Sequence, residues 1–333
     1  MRREYRFALI GLAAVMLAGM LVTPAQAGMV LTSDGVADGF SLSLFADGFS
    51  STGYCCGPLG IAVNSAGEVM VQSWADGTIK LFSNVDGQSA ASPLSSVPFS
   101  SGGYGSAFTN DGGTVYATHA SDNANIVQLN NDGTVNQVIA TGPGKGGIWT
   151  DPTDGHLISA GYGAIYDTDP VAKTTRVIVN ADVDGISVSP DGQIVYGAAG
   201  GYIFGWNIAS GAQVFQSGYI GSPDGTAVIQ GSGGFAGSII SNNNDGTVDL
   251  IDPVTGFTTI IATGGSRGDY VGLDTTNGSL FLTQTDSIER LSCGPGCYFT
   301  PPPPGVPEPS TASLCLGGLL LAGWRALRRR RSA

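Results

Sequence analysis

Three aspartates in the second half of the chain stand at equivalent positions of a repeated pattern. Asp184 and Asp224 each precede a glycine that opens a short apolar strand, and Asp269 precedes the corresponding strand at 271. Where such strands converge on one axis, the carboxylates either raise each other's pKa or bind a cation. We therefore predict a divalent-cation site, with Ca²⁺ as the candidate ion. The alternative is that each Asp caps a turn, since Asp before Gly is common turn chemistry.

Four further residues fall at the same strand ends and form a predicted ligand site: Tyr104, His119, Lys145 and Tyr270. The mature region has two histidines, and His156 follows a hairpin turn, where a solvated side chain is usual. The chain has no nucleophile elbow, zincin helix or phosphate-binding loop. No catalytic residue is therefore assigned, and a non-catalytic binding module is favoured over an enzyme.

Two other interpretations of this region stay open. A metal-dependent hydrolase or lyase of the lactonase type would use the three aspartates together with His119. A purely structural protein would instead have its central channel plugged by Tyr104, Tyr270 or Trp74.

The elements that position these residues repeat along the chain. Six segments with the order strand, Gly-containing turn, strand begin at residues 60, 105, 147, 185, 225 and 271, at spacings of 38 to 46 residues. Further short strands follow in most units, for example at 78–82 and 247–251, and Asp-Gly pairs mark hairpin corners. A period near 40 residues with about four strands per unit is typical of a β-propeller blade. The sequence predicts an all-β, six-bladed β-propeller over residues 28–300.

The sixth unit has room for only three strands before the chain reaches Leu291. At the other end, the segment from Phe40 to Phe45 alternates apolar and polar residues without a blade of its own. We therefore expect this N-terminal strand to complete the last blade, which closes the ring and removes exposed sheet edges.

Four cysteines lie in the mature region and a fifth, Cys315, in the tail; the four are Cys55, Cys56, Cys293 and Cys297. Outside the cytoplasm an even set predicts two disulfides, for which three connectivities exist. Ring closure is expected to bring the two pairs together, so that a disulfide between them staples the ring. A metal site is the competing interpretation, and the absence of a flanking His disfavours it.

Composition excludes several classes of protein. Residues 28–305 carry 6 Lys and Arg against 24 Asp and Glu, a formal charge of −18. Such a surface repels nucleic acid and anionic lipid, so neither is an expected partner. Glycine accounts for 52 of 333 residues, about twice the usual share of roughly 7%. Long helices are therefore disfavoured, while recurrent Val, Ile, Tyr and Phe disfavour disorder.

Both chain ends carry targeting signals. Arg2, Arg3 and Arg6 precede an apolar stretch, and Ala25-Gln26-Ala27 follows it, which predicts a signal peptide over residues 1–27 that is cleaved after Ala27. At the other end, residues 301–305 form a stiff Pro-rich linker.

The segment 306–333 combines Pro307-Glu308-Pro309, a short apolar run and an Arg-rich end. It resembles the PEP-CTERM sorting domain. The resemblance implies a short hydrophobic helix, processing by an exosortase-type membrane enzyme, and delivery to the surface or exopolysaccharide matrix of a Gram-negative bacterium. The apolar run reaches about 16 residues, short of the roughly 20 that a permanent span needs. A transient anchor at the inner membrane is favoured over an uncut C-terminal anchor.

The central region resembles NHL, SMP-30 and YVTN-type propellers in its coarse pattern. None of their motifs is strong enough here to transfer individual residues. The combined expectation is an exported envelope or extracellular-matrix protein that binds glycan or surface-protein ligands at one face of a propeller.

Overall fold

The computed structural model describes residues 28–300, except 54, 100–104, 120, 122 and 232. These residues form 26 strands and one short helix. The chain enters through β1 (Val30–Leu31), α1 (Ser33–Ala37) and β2 (Ser41–Asp47). Within this described part, no helix has the length and apolar character of a transmembrane span. The predicted cleavage site at Ala27, the linker and the sorting motif at Pro307, Glu308 and Pro309 lie outside it.

Blades 1 to 3 are four-stranded antiparallel sheets. Blade 1 contains β3 (Pro58–Val63), β4 (Val69–Ser73), β5 (Thr78–Phe82) and β7 (Ser95–Pro98), with β6 (Gln88–Ser89) in the β5–β7 connection. Blade 2 contains β8 (Phe108–Asp111), β9 (Thr114–His119), β10 (Asn125–Leu129) and β11 (Val135–Thr141). Blade 3 contains β12 (Ile148–Thr150), β13 (Leu157–Ala160), β14 (Ile165–Asp169) and β15 (Thr174–Val179).

Blades 4 to 6 continue the same order. Blade 4 contains β16 (Ile186–Val188), β17 (Ile194–Ala199), β18 (Tyr202–Asn207) and β19 (Gln213–Gln216). Blade 5 contains β20 (Pro223–Val228), β21 (Ile239–Asn243), β22 (Val248–Ile251) and β23 (Thr258–Thr263). Blade 6 receives only three strands from its own stretch of chain, β24 (Val271–Leu273), β25 (Leu280–Thr283) and β26 (Ile288–Ser292). The predicted six-bladed propeller is confirmed.

The first strand of each blade is innermost, and these six strands form a closed ring. Each contacts the innermost strand of the next blade, and β24 contacts β3. Glycines make this approach possible: a Cβ on Gly185 would collide with the carbonyl oxygen of Asp224, and a Cβ on Gly225 with that of Asp269. The glycines that begin the repeats therefore mark the close backbone contacts between neighbouring blades.

The N-terminal segment closes the ring, as the sequence predicts. Strand β2 pairs antiparallel with β26, and Ser43 stands opposite Arg290. Two additional pairings have no counterpart in the repeat: β6 of blade 1 adds parallel to β2, and β1 adds to the outer edge of blade 5. Blades 5, 6 and 1 are thus joined by main-chain hydrogen bonds as well as by packing, and β1 and β2 each cover a sheet edge.

The apolar core lies between neighbouring blades. Strand β3 is buried along its whole length, whereas four of the first five residues of the outer strand β11 are exposed to solvent. Phe45, Phe82 and Phe281 are fully buried at the junction of blades 6 and 1. Burial on both faces explains why the inner strands lack the clean alternation typical of a half-exposed sheet.

The predicted disulfide staple between the two cysteine pairs is wrong. Cys55 bonds to Cys56, and Cys293 bonds to Cys297. The reason is strand direction: Cys55 and Cys56 precede the first strand of blade 1, whereas Cys293 follows the third strand of blade 6. First and third strands run the same way, so the two pairs lie at opposite faces of the ring. The prediction of two disulfides is consistent with this pairing.

Candidate functional site

The first strand of each blade starts at one face of the ring, and the second strand returns to that face. Described residues from several of the loops before and after these hairpins line a cavity of about 560 Å³ at the channel mouth. We call it the mouth pocket. Its walls are formed mainly by Cys55, Cys56, Leu59, Trp74, Lys145, Asp182, Asp184, Arg267, Asp269 and Tyr270.

Part of the lining of the mouth pocket is apolar. Leu59 and Tyr270 belong to one buried cluster, against which the half-buried Trp74 and Cys56 pack. Tyr270 also borders a separate, much smaller cavity of about 10 Å³ between the innermost strands.

Acidic residues line the pocket next to this apolar surface. Tyr270 Oη donates a hydrogen bond to Asp184 Oδ1 at 3.2 Å. Arg267 Nη2 lies 3.5 Å from Asp224 Oδ2 and 3.4 Å from Asp269 Oδ2. The Arg267 guanidinium thus forms ion pairs with two carboxylates, and its Nε also donates a hydrogen bond to Asn244 Oδ1 at 2.6 Å. Asp184 and Asp269 line the pocket, whereas Asp224 lies beneath its surface and is 1% exposed.

Loss of water around these acids raises their pKa values. Burial raises the pKa of Asp269 to about 7, with Arg267 opposing the change and Asp184 adding to it. Burial followed by repulsion from Asp269 and Asp184 raises the pKa of Asp224 well above its usual range. Asp184 is open to the pocket, but the surrounding walls displace enough water to raise its pKa as well. Removing a carboxylate from water disfavours its charged form unless a cation compensates.

Two observations bear on the predicted cation site. Asp224 Oδ1 is buried and accepts no hydrogen bond of ordinary geometry from the described residues, although Asn244 lies near enough to lower the pKa of this carboxyl and Arg267 pairs with Oδ2. The carboxylate oxygens of Asp184, Asp224 and Asp269 are, however, not all within 4.8 Å of one another. Arg267 already supplies one positive charge between two of them. The cation site therefore stays a prediction.

The predicted ligand residues are only partly brought together. Lys145 and Tyr270 line the mouth pocket, and Lys145 Nζ lies 4.8 Å from the centre of the Tyr162 ring. His119 is not among the residues that line it, and its ring packs on Phe99 with 4.8 Å between centroids. Tyr104 lies outside the described residues.

Sequence reasoning missed the role of Arg267. This residue is one of only six Lys and Arg in residues 28–305, and it stands two positions before Asp269. The scarcity of basic residues could have indicated that Arg267 pairs with the neighbouring acids. Its Nη1 also donates to both Cys55 Sγ and Cys56 Sγ, so it connects the acids to the disulfide. The presence of Cys55 and Cys56 in the pocket wall was likewise not predicted, because both were assigned to a structural staple.

The chain end matches a family model. Residues 305–331 match the PEP-CTERM protein-sorting motif. The motif indicates an exported protein that is sorted to the cell envelope, and it implies an exosortase as the processing enzyme. It covers the tail alone and does not describe the propeller.

The propeller is similar to several solved structures. A gluconolactonase from Xanthomonas campestris is 15% identical, with a TM-score of 0.58 over 80% of this chain and 95% of that one. An aldose sugar dehydrogenase from Streptomyces coelicolor, solved in its PQQ-bound form, is 16% identical with a TM-score of 0.53 over 77% and 99%. A virginiamycin B lyase from Staphylococcus aureus is 13% identical with a TM-score of 0.52 over 77% and 100%.

These likenesses show the fold alone, because proteins on one fold carry out unrelated functions at this level of identity. The neighbours include six-bladed propellers of the gluconolactonase and SMP-30 type. A search of curated proteins found no match.

Proposed function

We propose that this protein is an exported envelope or matrix protein whose propeller binds a glycan in the mouth pocket, without catalysis. The observation that carries the proposal is the composition of that pocket. The apolar side chains of Leu59 and Trp74 and the charged side chains of Asp184, Arg267 and Asp269 line the same cavity.

This arrangement fits the chemistry of a sugar ring. The C–H face of a pyranose packs on apolar and aromatic side chains, while its hydroxyls pair with carboxylates and a guanidinium. A cavity of about 560 Å³ lies within the usual size range of small-ligand sites. The formal charge of −18 over residues 28–305 disfavours polyanionic ligands, so a neutral glycan is the expected class.

The chain ends complete this proposal. The signal peptide is removed after Ala27, and the tail holds the precursor at the inner membrane until an exosortase-type enzyme cuts it near Pro307-Glu308-Pro309. Release then delivers the propeller to the cell surface or to the exopolysaccharide matrix, where its ligand is found. The matched sorting motif supports this route.

A glycan array probed with the purified chain 28–305, with and without Ca²⁺, tests the binding function. Neutral oligosaccharides should bind, and Trp74→Ala and Asp184→Asn should each weaken binding at least tenfold. Asp132→Asn is the matched control, because Asp132 is exposed in the β10–β11 turn at the opposite face. Equal binding by all three variants, or no neutral glycan bound, would overturn the proposal.

A metal-dependent hydrolase or lyase is the second candidate function. The buried Asp224 Oδ1 favours it, because a divalent ion bound at Asp224 would satisfy that oxygen; Asp184 and Asp269 would have to move closer for all three carboxylates to bind one ion. Such an ion would polarise a carbonyl of the substrate. Calorimetry with Ca²⁺, Mg²⁺ and Zn²⁺, followed by lactone hydrolysis assays, distinguishes the two. Absence of ion binding, together with an unchanged melting temperature, excludes this candidate.

A further inference from the structure

The two disulfides have different surroundings. Cys293 and Cys297 are separated by four positions and pack against the large apolar cluster that includes Phe40 and Phe299. Cys55 and Cys56 are adjacent in sequence, line the mouth pocket and contact a charged side chain. Chemical reactivity of a disulfide depends on such access and on neighbouring charge.

Arg267 controls the charge at the second pair. Its Nη1 donates to Cys55 Sγ and, at 3.1 Å, to Cys56 Sγ. A positive guanidinium in this position stabilises a sulfur anion far more than the neutral sulfurs of a disulfide. It therefore favours the reduced form and raises the tendency of the disulfide to accept electrons.

Asp269 makes the two sulfurs unequal. Asp269 Oδ2 lies 3.7 Å from Cys56 Sγ, so an anion on Cys56 would meet a carboxylate. A carboxylate oxygen of Asp269 also lies within 4.8 Å of Cys55 Sγ, but Cys55 Sγ has the closer of the two guanidinium contacts. The negative charge of a leaving thiolate is thus best placed on Cys55, and an attacking thiolate is directed to Cys56.

We propose that Cys55–Cys56 is a redox-active disulfide that exchanges with dithiols reaching it through the mouth pocket. A thiolate of the dithiol attacks Cys56 Sγ, the Cys55–Cys56 bond breaks, and Cys55 leaves as a thiolate beside Arg267. The second thiol of the reductant then loses its proton and attacks the mixed disulfide, which releases Cys56 to take up a proton. Two electrons pass to the protein, and the dithiol leaves as its disulfide.

Reduction should leave the fold intact. A bond between adjacent residues closes almost no loop, so it removes little entropy from the unfolded chain. It does change the mouth pocket, because Arg267 shares its donors between the sulfurs and the carboxylates of Asp224 and Asp269. A thiolate on Cys55 draws the guanidinium toward the sulfurs, so the redox state of this pair regulates the charged wall of the pocket.

Equilibration of the folded chain 28–305 with graded ratios of reduced and oxidised dithiothreitol tests the proposal. Acid quenching, alkylation and peptide mass mapping report both pairs in the same sample, so Cys293–Cys297 is an internal control. Cys55–Cys56 should be half-reduced at a ratio of reduced to oxidised dithiothreitol at least tenfold lower than the ratio that half-reduces Cys293–Cys297. This corresponds to a difference in reduction potential of about 30 mV for a two-electron couple. Equal ratios, or a Cys55–Cys56 bond that is the harder one to reduce, would overturn the proposal.

The variant Arg267→Gln tests the role of the guanidinium. In this variant, half-reduction of Cys55–Cys56 should need a ratio of reduced to oxidised dithiothreitol at least tenfold higher, while the ratio for Cys293–Cys297 should not change. The ratio for Cys55–Cys56 in Arg267→Lys should lie between those of Arg267→Gln and the wild type. Arg176→Gln, at a half-exposed arginine of blade 3, should change neither pair. An unchanged Cys55–Cys56 ratio in a folded Arg267→Gln protein contradicts the assignment. These readouts follow the sulfur atoms, so they stand whether or not a glycan binds.

Discussion

Arg290 on β26 donates a hydrogen bond from Nε to Asp86 Oδ1 at 2.7 Å, across 204 positions of sequence. The same guanidinium lies over the rings of Phe45 and Phe281, at 5.2 and 4.6 Å from their centroids. It also pairs through Nη1 with the fully buried Asp274. One side chain therefore connects the N-terminal strand, blade 6 and blade 1 at the seam where the ring closes.

Replacing Arg290 by Met should destabilise the propeller strongly. The change leaves the buried Asp274 without its cation, and breaking a buried ion pair in this way costs about 3–5 kcal/mol. Urea unfolding of both proteins measures the difference in the free energy of unfolding. Arg176→Met is the control, because the Arg176 side chain is 50% exposed and its buried partner Asp167 keeps the hydrogen bond to His156, so its loss should cost less than the loss of Arg290. Equal effects of the two substitutions would contradict the assigned role of Arg290.

Substitution of a glycine at a blade contact should also destabilise the ring. A Cβ on Gly225 collides with the Asp269 carbonyl, and the Gly225 amide donates to that oxygen at 3.1 Å. We expect Gly225→Ala to lower the free energy of unfolding by about 1–3 kcal/mol through overpacking. Gly234→Ala is the matched control, since its added Cβ has no neighbour within 4 Å. An equal decrease in melting temperature for Gly225→Ala and Gly234→Ala would show that the predicted collision at Gly225 does not destabilise the ring.

Asp224→Asn should make stability less dependent on pH. Burial raises the pKa of Asp224 well above its usual range, so ionisation opposes folding. The cost is absent below the unfolded-state pKa near 4 and grows as the pH rises toward the folded-state pKa. The melting temperature of the variant should therefore be higher than that of the wild type at pH 8 and equal to it at pH 3.5. A gain that is the same at both pH values would contradict this origin.

Calcium supplies a second arm of the same experiment. If an ion occupies the site, wild-type protein in Ca²⁺ should recover the stability that Asp224→Asn gains, and the variant should not respond. If Arg267 alone compensates the acids, Ca²⁺ should have no effect on either protein.

His156 should stabilise blade 3 in acid and not in base. Partial burial opposes its charged form, but the hydrogen bond to Asp167 at 2.8 Å and the charges of Asp154, Asp167 and Asp169 raise its pKa. Since the folded-state pKa exceeds the unfolded value, the stabilisation is complete below about pH 6.5 and is lost as the pH rises through the folded-state pKa.

The variant His156→Asn should therefore melt below the wild type at pH 5.5 and together with it at pH 9. The difference should stay under about 1 kcal/mol, because a third of the His156 side chain is exposed. Two melting curves at each pH provide the measurement. A larger deficit at pH 9 than at pH 5.5 would reverse the assigned sign.

The arrangement of the blades could be predicted because its signals are local. Strand and turn chemistry repeats about every 40 residues, and a strand at 40–45 without a blade matches a last blade with too few strands. The structure extends this strand to 41–47 and pairs it with β26. Strands β1 and β6 could not be predicted, because two-residue pairings leave no periodic pattern in a sequence.

The candidate site was predictable only in part. Equivalent positions in the repeat place Asp184 and Asp269 in one pocket with Lys145 and Tyr270. The repeat pattern does not specify how deeply each side chain is buried or which way it points. It therefore did not reveal that Asp224 is buried beneath the pocket surface or that His119 packs against Phe99.

By itself the sequence determined the ring of six blades, its closure by an N-terminal strand and the sorting motif of the tail, since each depends on composition and on order along the chain. Only the tertiary structure decided which cysteines pair and where Arg267 directs its charge. Both depend on which face of the ring a strand end reaches and on which side chains from distant blades meet there. Such contacts between separate repeats are a property of the closed ring, and no single repeat encodes them.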